Sequence, residues 1–402
     1  MSDLAVANDV MAREGRVHLQ TYARQPLTLV SGNGCWVIDD AGREYLDLVG
    51  GIAVDVIGHA HPAITEAVAR QAATLVQVSN LYYTLPQLEL AEALVARSPF
   101  DRVFFTNSGT EANEAALKLA RRHGGPRDAH EVVSLIGSFH GRTFGSLAAT
   151  GQPKYQDPFA PLPAGFHHVA PNDPDALDRA VTDATCAVLI EPIMGEGGVH
   201  PLTDEFLVAA RAACDRVGAL LILDEIQTGI GRTGTFFAFE STPITPDAVT
   251  LAKGLAGGLP IGALLVREQA AAFQVGDHGT TLGGNPLSCA AALATLSVID
   301  ADELMANAAV RGQQFAAALE PLIADSVLNE VRGRGLMIGL DTARPIARSV
   351  VATAREAHGL LVNATGDTTI RLVPPLTISA AEVEVAVERL RSALRDSMAT
   401  GS

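Results

Sequence analysis

The feature that most constrains the fold of this chain is a series of short apolar runs that alternate with helical patterns between Pro62 and Pro286. The runs are RVFFTN, EVVSLIGS, CAVLIEP and ALLILDE. Strands that are apolar along most of their length are covered on both faces, which is typical of a parallel sheet flanked by helices. We therefore predict a large α/β domain whose ligands bind at the carboxyl ends of the strands.

The flanking sequence predicts a second, smaller α+β domain. After an N-terminal helix, GCWVIDDAGREYLDL indicates two short strands around an Asp-Ala-Gly turn. Past Pro286, two helical stretches precede the strand-like VLNEVRGRGLMIGLD and TTIRLVPPLTIS, and Ser379 and Glu382 form a capping box that opens the last helix. The expected division is an N-terminal segment 1–55 that joins the small domain, a large domain 56–285 and a C-terminal small domain 286–402.

Composition favours a compact soluble enzyme, because 48% of the 402 residues are hydrophobic and 18% are charged. The net charge of -16 disfavours nucleic acid and anionic membrane surfaces as partners, so an anionic small substrate needs individually placed arginines. No apolar run is long enough to span a membrane, and the first residues do not resemble a signal peptide. We therefore predict a cytoplasmic protein that binds small molecules.

The sequence offers no convincing metal site. Its four cysteines are scattered without a CxxC pair, which argues against zinc or a disulfide framework. GHAHP, residues 58–62, contains two histidines, but the sequence shows no matching ligand cluster. We interpret these histidines as turn residues and expect no metal.

Lysine usage points to a reactive amine. Only three of the 29 lysines and arginines are lysines, and one of them, Lys253, lies in TLAKGLAGGLP, where an apolar run enters a glycine-rich loop. Arginine stays protonated, whereas a lysine amine can lose its proton and attack a carbonyl. Lys253 is therefore a candidate for Schiff-base chemistry, although a loop lysine is more often simply solvated.

A carboxylate suited to the same chemistry precedes Lys253 by about the length of one βα unit. The apolar run in ALLILDEIQTG ends at Asp224, which places this side chain at the carboxyl edge of a buried strand. Pyridoxal phosphate enzymes need such a pair, since the lysine holds the cofactor aldehyde as an imine and the aspartate keeps the pyridine nitrogen protonated. Taken alone, Asp224 is more simply explained as the N-cap of the next helix.

A third motif predicts a phosphate site. FFTNSGTEANEAALKLARR ends a strand and opens a helix, with Ser108 and Glu111 as a capping box. The free amides of Gly109 and Thr110 then lie at the positive end of the helix dipole, where a phosphate binds. An ordinary capped helix has the same signature.

A fourth motif, SFHGRTFG, follows another predicted strand. Phe139 offers a flat face for a ring, and Arg142 offers a guanidinium for a carboxylate. In most proteins an isolated phenylalanine belongs to the core and an isolated arginine to the surface. The absence of a GxGxxG or P-loop pattern argues against a nucleotide as the ligand.

Over essentially the whole chain, these motifs resemble the class III pyridoxal-phosphate-dependent aminotransferases of fold type I. The resemblance is carried by SNLYYTLPQ, NSGTEANEAALKLAR, FHGRTFGSLAATG, EPIMGEGGV, LILDEIQTGIGRTG, LAKGLAGGLPIGA and HGTTLGGNPLSCAAAL. It implies a large domain with a mostly parallel sheet, a smaller α+β domain, pyridoxal 5'-phosphate as cofactor, and a homodimer with active sites at the interface.

The resemblance also implies a role for each matching residue. The catalytic residues are Lys253, which becomes the base once substrate displaces it, and Asp224; we expect burial and the positive ring to lower the pKa of Lys253. The cofactor contacts are Gly109, Thr110, Phe139, Asp224, Gln227, Lys253 and, from the neighbouring subunit, Thr281. The substrate contacts are Arg142, Glu196, Thr280 and Arg371.

The sequences of these motifs are most similar to those of family members that act on N-acetylornithine in arginine biosynthesis. Such an enzyme passes the terminal amine to 2-oxoglutarate by ping-pong kinetics, giving N-acetylglutamate semialdehyde and glutamate. Its site must accept a methylene in one half-reaction and a carboxylate in the other. The resemblance implies that Glu196 neutralises Arg371 in the first half and swings away in the second, while Arg142 holds the far carboxylate.

Several alternatives remain open from the sequence. Aminotransferases acting on ornithine, succinylornithine, succinyldiaminopimelate or 4-aminobutyrate share the same catalytic set. Leu282 stands where members usually carry Tyr or Phe, which leaves the substrate preference open. A non-catalytic protein that binds the cofactor would not need the intact set of site residues, and an aminomutase would need no 2-oxoglutarate.

Overall fold

The computed structural model describes residues 3–400 and contains both predicted regions. Its strands, in chain order, are β1 (Leu29–Asn33), β2 (Trp36–Asp39), β3 (Glu44–Asp47), β4 (Arg102–Thr106), β5 (Glu131–Leu135), β6 (Phe166–Val169), β7 (Thr185–Ile190), β8 (Ile193–Met194), β9 (His200–Pro201), β10 (Leu220–Asp224), β11 (Ala248–Leu251), β12 (Gly262–Val266), β13 (Leu328–Arg334), β14 (Met337–Thr342), β15 (Leu360–Leu361), β16 (Asn363–Ala364) and β17 (Thr369–Leu372).

Helices separate most of these strands. They are α1 (Asp3–Val17), α2 (Gly50–Ala53), α3 (Pro62–Ala72), α4 (Leu85–Val95), α5 (Gly109–Gly124), α6 (Phe144–Ala149), α7 (Pro153–Gln156), α8 (Pro174–Ala180), α9 (Asp204–Val217), α10 (Pro286–Ala301), α11 (Leu304–Leu319), α12 (Pro321–Ala324), α13 (Ala347–His358) and α14 (Ala380–Thr400). Single 3-10 turns occur at Gly125–Arg127, Asp157–Phe159, Ala238–Ser241, Lys253–Ala256 and Glu268–Ala270.

The largest sheet has seven strands in the order β4-β12-β11-β10-β7-β5-β6. Neighbouring strands from β11 to β6 are parallel, whereas β12 runs antiparallel to both β11 and β4. The predicted mostly parallel sheet is therefore confirmed. The four apolar runs that predicted it are β4, β5, β7 and β10.

Both faces of this sheet are covered, as the apolar strands required. Every residue of β7 and β10 is buried. Along β10, Leu221 packs in one hydrophobic cluster with Phe206 of α9, while Ile222 packs in a second cluster with Leu117 of α5. Successive side chains of a strand point to opposite faces, so each face has its own core. Full burial of one leucine contributes about 1.5–3 kcal/mol.

Two four-stranded sheets lie outside the seven-stranded one, in the orders β1-β2-β3-β15 and β13-β14-β17-β16, and β8 pairs with β9 in a two-stranded sheet. In the first sheet, Leu46 of β3 pairs in parallel with Leu360 of β15, so N-terminal strands join a C-terminal one. This pairing agrees with an N-terminal segment that belongs with the C-terminal region. The domain boundaries themselves stay a prediction.

The last helix begins as its sequence predicted. The Ser379 amide donates to Glu382 Oε2 at 2.8 Å, and the Glu382 amide donates to Ser379 Oγ at 3.2 Å, which confirms the capping box. Among the described residues, no helix combines the length and the apolar character needed to cross a bilayer.

Candidate active site

The carboxyl ends of five strands converge on one cavity of about 410 Å³. Because parallel strands end at the same edge of a sheet, polar residues that follow them along the chain become neighbours in space. The cavity is lined after β4 by Ser108, Gly109 and Thr110, after β5 by Phe139, His140 and Arg142, after β7 by Glu191, at the end of β10 by Asp224 and Gln227, and after β11 by Lys253.

Asp224 is held in one orientation by three donors and is only 4% exposed. Its Oδ2 accepts from Asn113 Nδ2 at 2.7 Å and lies 2.8 Å from His140 Nδ1, while Oδ1 accepts from the Ile226 amide at 3.1 Å. Asn113 is fixed in turn by Thr250, whose hydroxyl donates to Asn113 Oδ1 at 2.8 Å. A buried carboxylate with such neighbours is fixed as an acceptor at the wall of the cavity.

Helix α5 presents its first amides to the same cavity. Ser108 Oγ accepts from the Glu111 amide at 3.3 Å, but the Glu111 carboxylate accepts from the Asn107 amide at 2.7 Å. The predicted capping box is therefore only half correct, because the return bond goes one residue further back. The amides of Gly109 and Thr110 have no acceptor within the helix, as in any first helical turn.

Gly109 is required here by packing. A Cβ at this position would lie 2.8 Å from Ile226 Cδ1, closer than carbon atoms can approach. Ile226 lies two residues after the end of β10 and packs against the first turn of α5. Glycine allows the helix amides to lie this close to the end of β10.

Lys253 begins a 3-10 turn directly after β11 and has a positive φ of 36°. For a residue other than glycine, this conformation costs roughly 1–3 kcal/mol and is typical of functional sites. Burial lowers the pKa of the Lys253 amine, with Glu196 opposing this effect and Arg371 adding to it. The protein without its cofactor thus already lowers the pKa of Lys253, in the predicted direction. This favours an amine that can lose its proton.

Aromatic rings form one wall beside Arg142. The Arg142 guanidinium carbon lies 3.8 Å from the ring centroid of Tyr155 and 5.4 Å from that of Phe139. The two rings meet edge to face with centroids 6.1 Å apart. Stacking of this kind orients a guanidinium while leaving its N–H groups free to bind a carboxylate.

Arg371 of β17 is fully buried and pairs with Glu196. Its Nη1 donates to Glu196 Oε1 at 2.6 Å and to Gln227 Oε1 at 3.1 Å, whereas its Nη2 is buried without a partner among the described residues. Burial raises the pKa of Glu196, but Arg371 and Lys253 outweigh this effect, so the pKa lies below its usual value. Glu196 also lines a second cavity of about 850 Å³, together with Tyr155.

Comparison with known proteins identifies the family. The model of the aminotransferase class III family matches residues 19–394. Acetylornithine aminotransferases from Gloeobacter violaceus and Mycobacterium tuberculosis are each 52% identical to this chain, the first over 92% of this chain and 93% of its own length, the second over 94% of both. This chain belongs to the class III aminotransferases.

Solved structures of relatives agree with this assignment. An ornithine aminotransferase from Toxoplasma gondii matches this aminotransferase with a TM-score of 0.93 at 31% identity, covering 98% of this chain and 95% of the other. An N-acetylornithine aminotransferase from Stenotrophomonas maltophilia matches with a TM-score of 0.84 at 37% identity, covering 97% and 100%. The predicted family and fold class are therefore confirmed.

The cofactor of this family is pyridoxal phosphate, and the cavity fits it. Free amides of Gly109 and Thr110 suit an anionic group. The buried carboxylate of Asp224 suits a protonated ring nitrogen, and the half-buried side chain of Phe139 lines the cavity with its ring. Lys253 supplies the amine.

Sequence reasoning gave no role to several residues that the structure brings to this site. Asn113 and Thr250 orient the Asp224 carboxylate. Glu191, which lines the cavity, stands in the EPIMGEGGV motif, but the resemblance gave a role only to Glu196 of that motif. The signal that would have found Asn113 is its spacing, because it lies one helical turn after Gly109 on the same face of α5.

Two predicted site residues lie apart from the cavities described above. Thr280 Oγ1 accepts from Asn107 Nδ2 at 3.1 Å, and Thr281 is exposed on the same loop. Neither lines the two cavities in the described part of this chain. Leu282, which follows them, is 54% exposed. These positions are those expected of residues that serve a neighbouring subunit, which stays a prediction.

The histidine-containing turn has carboxylate neighbours that the sequence did not reveal. His59 Nε2 lies 2.9 Å from Asp47 Oδ2, and its Nδ1 lies 3.8 Å from Asp55 Oδ2. The Asp47 hydrogen bond raises the pKa of His59. His61 is a turn residue, since its Nδ1 accepts from the Ala63 amide at 3.2 Å at the start of α3. Asp47, Asp55 and His59 thus form one cluster of polar groups, and the absence of a metal stays a prediction.

Proposed function

We propose that this aminotransferase transfers the terminal amino group of N-acetylornithine to 2-oxoglutarate, giving N-acetylglutamate semialdehyde and glutamate. The relatives named acetylornithine aminotransferase, at 52% identity over nearly the whole chain, support this choice of donor. The observation that carries the proposal is the buried Arg371 neutralised by Glu196 at 2.6 Å. Such a pair suits a site that must serve an uncharged and a charged substrate group in turn.

We assign the cofactor contacts to residues of the cavity. The amides of Gly109 and Thr110 hold the phosphate, Phe139 covers the ring, Asp224 pairs with the ring nitrogen, and Gln227 lies near the phenolic oxygen. Pyridoxal phosphate, when bound, supplies an aldehyde that takes up an amino group and a ring that accepts electrons.

Lys253 has two roles in this proposal. It would hold the cofactor at rest, and during the reaction its Nζ would take the proton from the donor carbon that carries the nitrogen. A base must be unprotonated at neutral pH to do so. Burial, which lowers the pKa of Lys253, favours this state.

Arg371, Glu196 and Arg142 divide the binding of the two substrates. While N-acetylornithine is bound, its methylene chain faces a guanidinium whose charge Glu196 neutralises. When 2-oxoglutarate binds, Glu196 rotates towards the second cavity, and the substrate carboxylate takes its place on Arg371. The unpaired Nη2 of Arg371 is a second donor for that carboxylate, and Arg142 holds the carboxylate at the far end.

We further propose that the enzyme is a homodimer in which Thr281, and Thr280 close to the substrate, serve the partner's active site. Apolar residues of the segment that contacts this loop support the proposal, because Leu81 is 83% exposed and Tyr83 is 105% exposed. Asn80 ties this segment to the threonine loop by donating to the Thr280 carbonyl at 3.0 Å. Exposed apolar groups in one cluster are typical of an interface. The cytoplasm remains our prediction for its location.

The test is the rate of glutamate formation from 2-oxoglutarate with N-acetylornithine, ornithine, succinylornithine, succinyldiaminopimelate and 4-aminobutyrate as donors. We expect the highest kcat/KM with N-acetylornithine. Lys253→Ala protein, purified in parallel, is the control for contaminating aminotransferases. A higher kcat/KM with another donor would reassign the substrate, and no turnover with any donor would favour a non-catalytic protein or an aminomutase.

A further inference from the structure

Glu191 is a buried acid at the end of β7 whose two oxygens bind different segments of the chain. Its side chain lines the cavity, and the residue is 5% exposed. Oε2 accepts from the Phe139 amide and Oε1 accepts from the Gly195 amide, each at 3.0 Å. One carboxylate therefore connects the segment that carries Phe139 with the segment that carries Glu196.

The Gly195 peptide is fixed on three sides. Its N–H donates to Glu191, and its carbonyl accepts from Arg371 Nη1 at 3.2 Å. A Cβ on Gly195 would lie 2.4 Å from Gln227 Oε1, so the backbone is packed against Gln227 as well. With the Gly195 backbone held in this way, a departure of Glu196 from Arg371 would need only rotation of its side chain and no movement of the loop.

We propose that Glu191 is a positioning residue. It holds the Gly195 backbone in place while the Glu196 side chain rotates, and it connects this backbone to the segment that carries Phe139. The proposal rests on the proposed function, since it assigns two positions to Glu196. Both contacts are strongest with the ionised carboxylate, because protonation places a hydrogen on one of the two oxygens and makes that oxygen a weaker acceptor.

The surroundings of Glu191 make this contact sensitive to pH near neutrality. Burial raises the pKa of Glu191 to about 7, with Asp224 acting in the same direction and His140 against it. The Lys253 amine also faces Glu191, and the charge of Glu191 raises the pKa of this amine. Below about pH 7 we therefore expect Glu191 to be neutral and the Gly195 backbone to be held less firmly.

Glu225 provides a matched control. It is fully buried, its oxygens accept from the Ala238 amide at 2.8 Å and the Phe239 amide at 2.9 Å, and burial raises its pKa to about 7. It does not line the cavity. Replacing Glu225 with Gln thus removes the same kind of contact outside the cavity lining.

The experiment compares Glu191→Gln and Glu225→Gln with the unmodified enzyme. Amide hydrogen exchange is measured on the cofactor-free proteins over residues 138–141 and 194–197, and KM is measured for both substrates between pH 6 and 8.5. For Glu191→Gln we expect about tenfold faster exchange in at least one segment, about a tenfold change in the ratio of the two KM values, and loss of the pH dependence near 7. Glu225→Gln should leave all three unchanged.

The proposal is overturned if Glu191→Gln and Glu225→Gln behave alike. If Glu191→Gln does not fold, Glu191→Asp keeps the charge but is one methylene too short to reach both amides. Faster exchange in only one segment is then expected, and unchanged exchange in both contradicts the proposal. The exchange measurement needs no substrate, so a different donor specificity would refute the proposed function without deciding the role of Glu191.

Discussion

Arg371 and Glu196 form an ion pair of 2.6 Å in which the guanidinium is fully buried while the carboxylate side chain stays 25% exposed. The two partners are therefore not equally free to move. Glu196 lines the second cavity, whereas the buried Arg371 guanidinium also donates to the Gly195 carbonyl. On the proposed function, this asymmetry is what would let the charge at the site change without movement of the arginine.

The first prediction concerns the amine of Lys253. Lys253→Ala should abolish turnover and the covalent attachment of the cofactor, because an alanine cannot bond to an aldehyde. The measurement is the protein mass after borohydride reduction, together with glutamate formation. Lys118→Ala is the matched control, since Lys118 lies exposed on α5 and donates to the Asp277 carbonyl at 2.9 Å. Retained attachment in Lys253→Ala would refute the assignment.

The second prediction concerns Asn113, which the sequence did not single out. Asn113→Ala removes the donor at 2.7 Å that orients Asp224 and leaves Thr250 without its acceptor. We expect kcat to fall by about tenfold or more, because a charged hydrogen bond contributes roughly 1.5–3 kcal/mol. Asn329→Ala is the control, since Asn329 bonds Asp341 at 3.0 Å on the surface. Equal kcat values for the two variants would show that Asn113 does not act on the site.

The sequence predicted the large sheet well because β7 and β10 are apolar at nearly every position, and such strands have few alternatives. It also placed Asp224 correctly at the end of a buried strand, because the apolar run stops at that residue, whereas the roles of Asp224 and Lys253 stay predictions. Two features could be seen only in the three-dimensional structure. The antiparallel β12 is as apolar as the parallel strands of the same sheet, so composition cannot reveal its direction.

The contacts between segments were likewise beyond the sequence. Glu191 binds the Phe139 amide across 52 positions of the chain. The Glu111 carboxylate accepts a hydrogen bond from the Asn107 amide and not from the Ser108 amide. No capping pattern in the sequence specifies this difference of one residue. The resemblance to the family supplied Glu196 and Arg371, which residue chemistry alone would have left as surface charges.

The third prediction concerns the pH dependence of stability at Glu225. Its pKa is raised from 4.5 to about 7 in the folded protein, so the folded state binds the proton more tightly than the unfolded one. The stability that this group contributes is therefore present at low pH and is lost as the pH rises from about 5 to about 7. Between pH 5 and 8, the free energy of unfolding should fall by about 3 kcal/mol relative to that of Glu225→Gln. Urea titrations of both proteins measure this difference, and a constant difference would contradict it.

The fourth prediction concerns Thr281 and the proposed dimer. If Thr281 serves the partner's site, a mixed dimer of Lys253→Ala and Thr281→Val subunits contains one site with both native residues. Thr281→Val alone should weaken cofactor binding about tenfold. Mixing the two variants should restore activity at limiting cofactor. No restoration, or a monomer by light scattering, would contradict the shared site.

The most direct test of the Arg371 and Glu196 account separates the two half-reactions. Single-turnover rates are measured for Glu196→Gln, first with N-acetylornithine and then with 2-oxoglutarate. We predict that kcat/KM for the amine donor falls by more than about a hundredfold, because an unneutralised buried guanidinium costs roughly 3–5 kcal/mol, while kcat/KM for 2-oxoglutarate changes little. An equal loss in both half-reactions would contradict it.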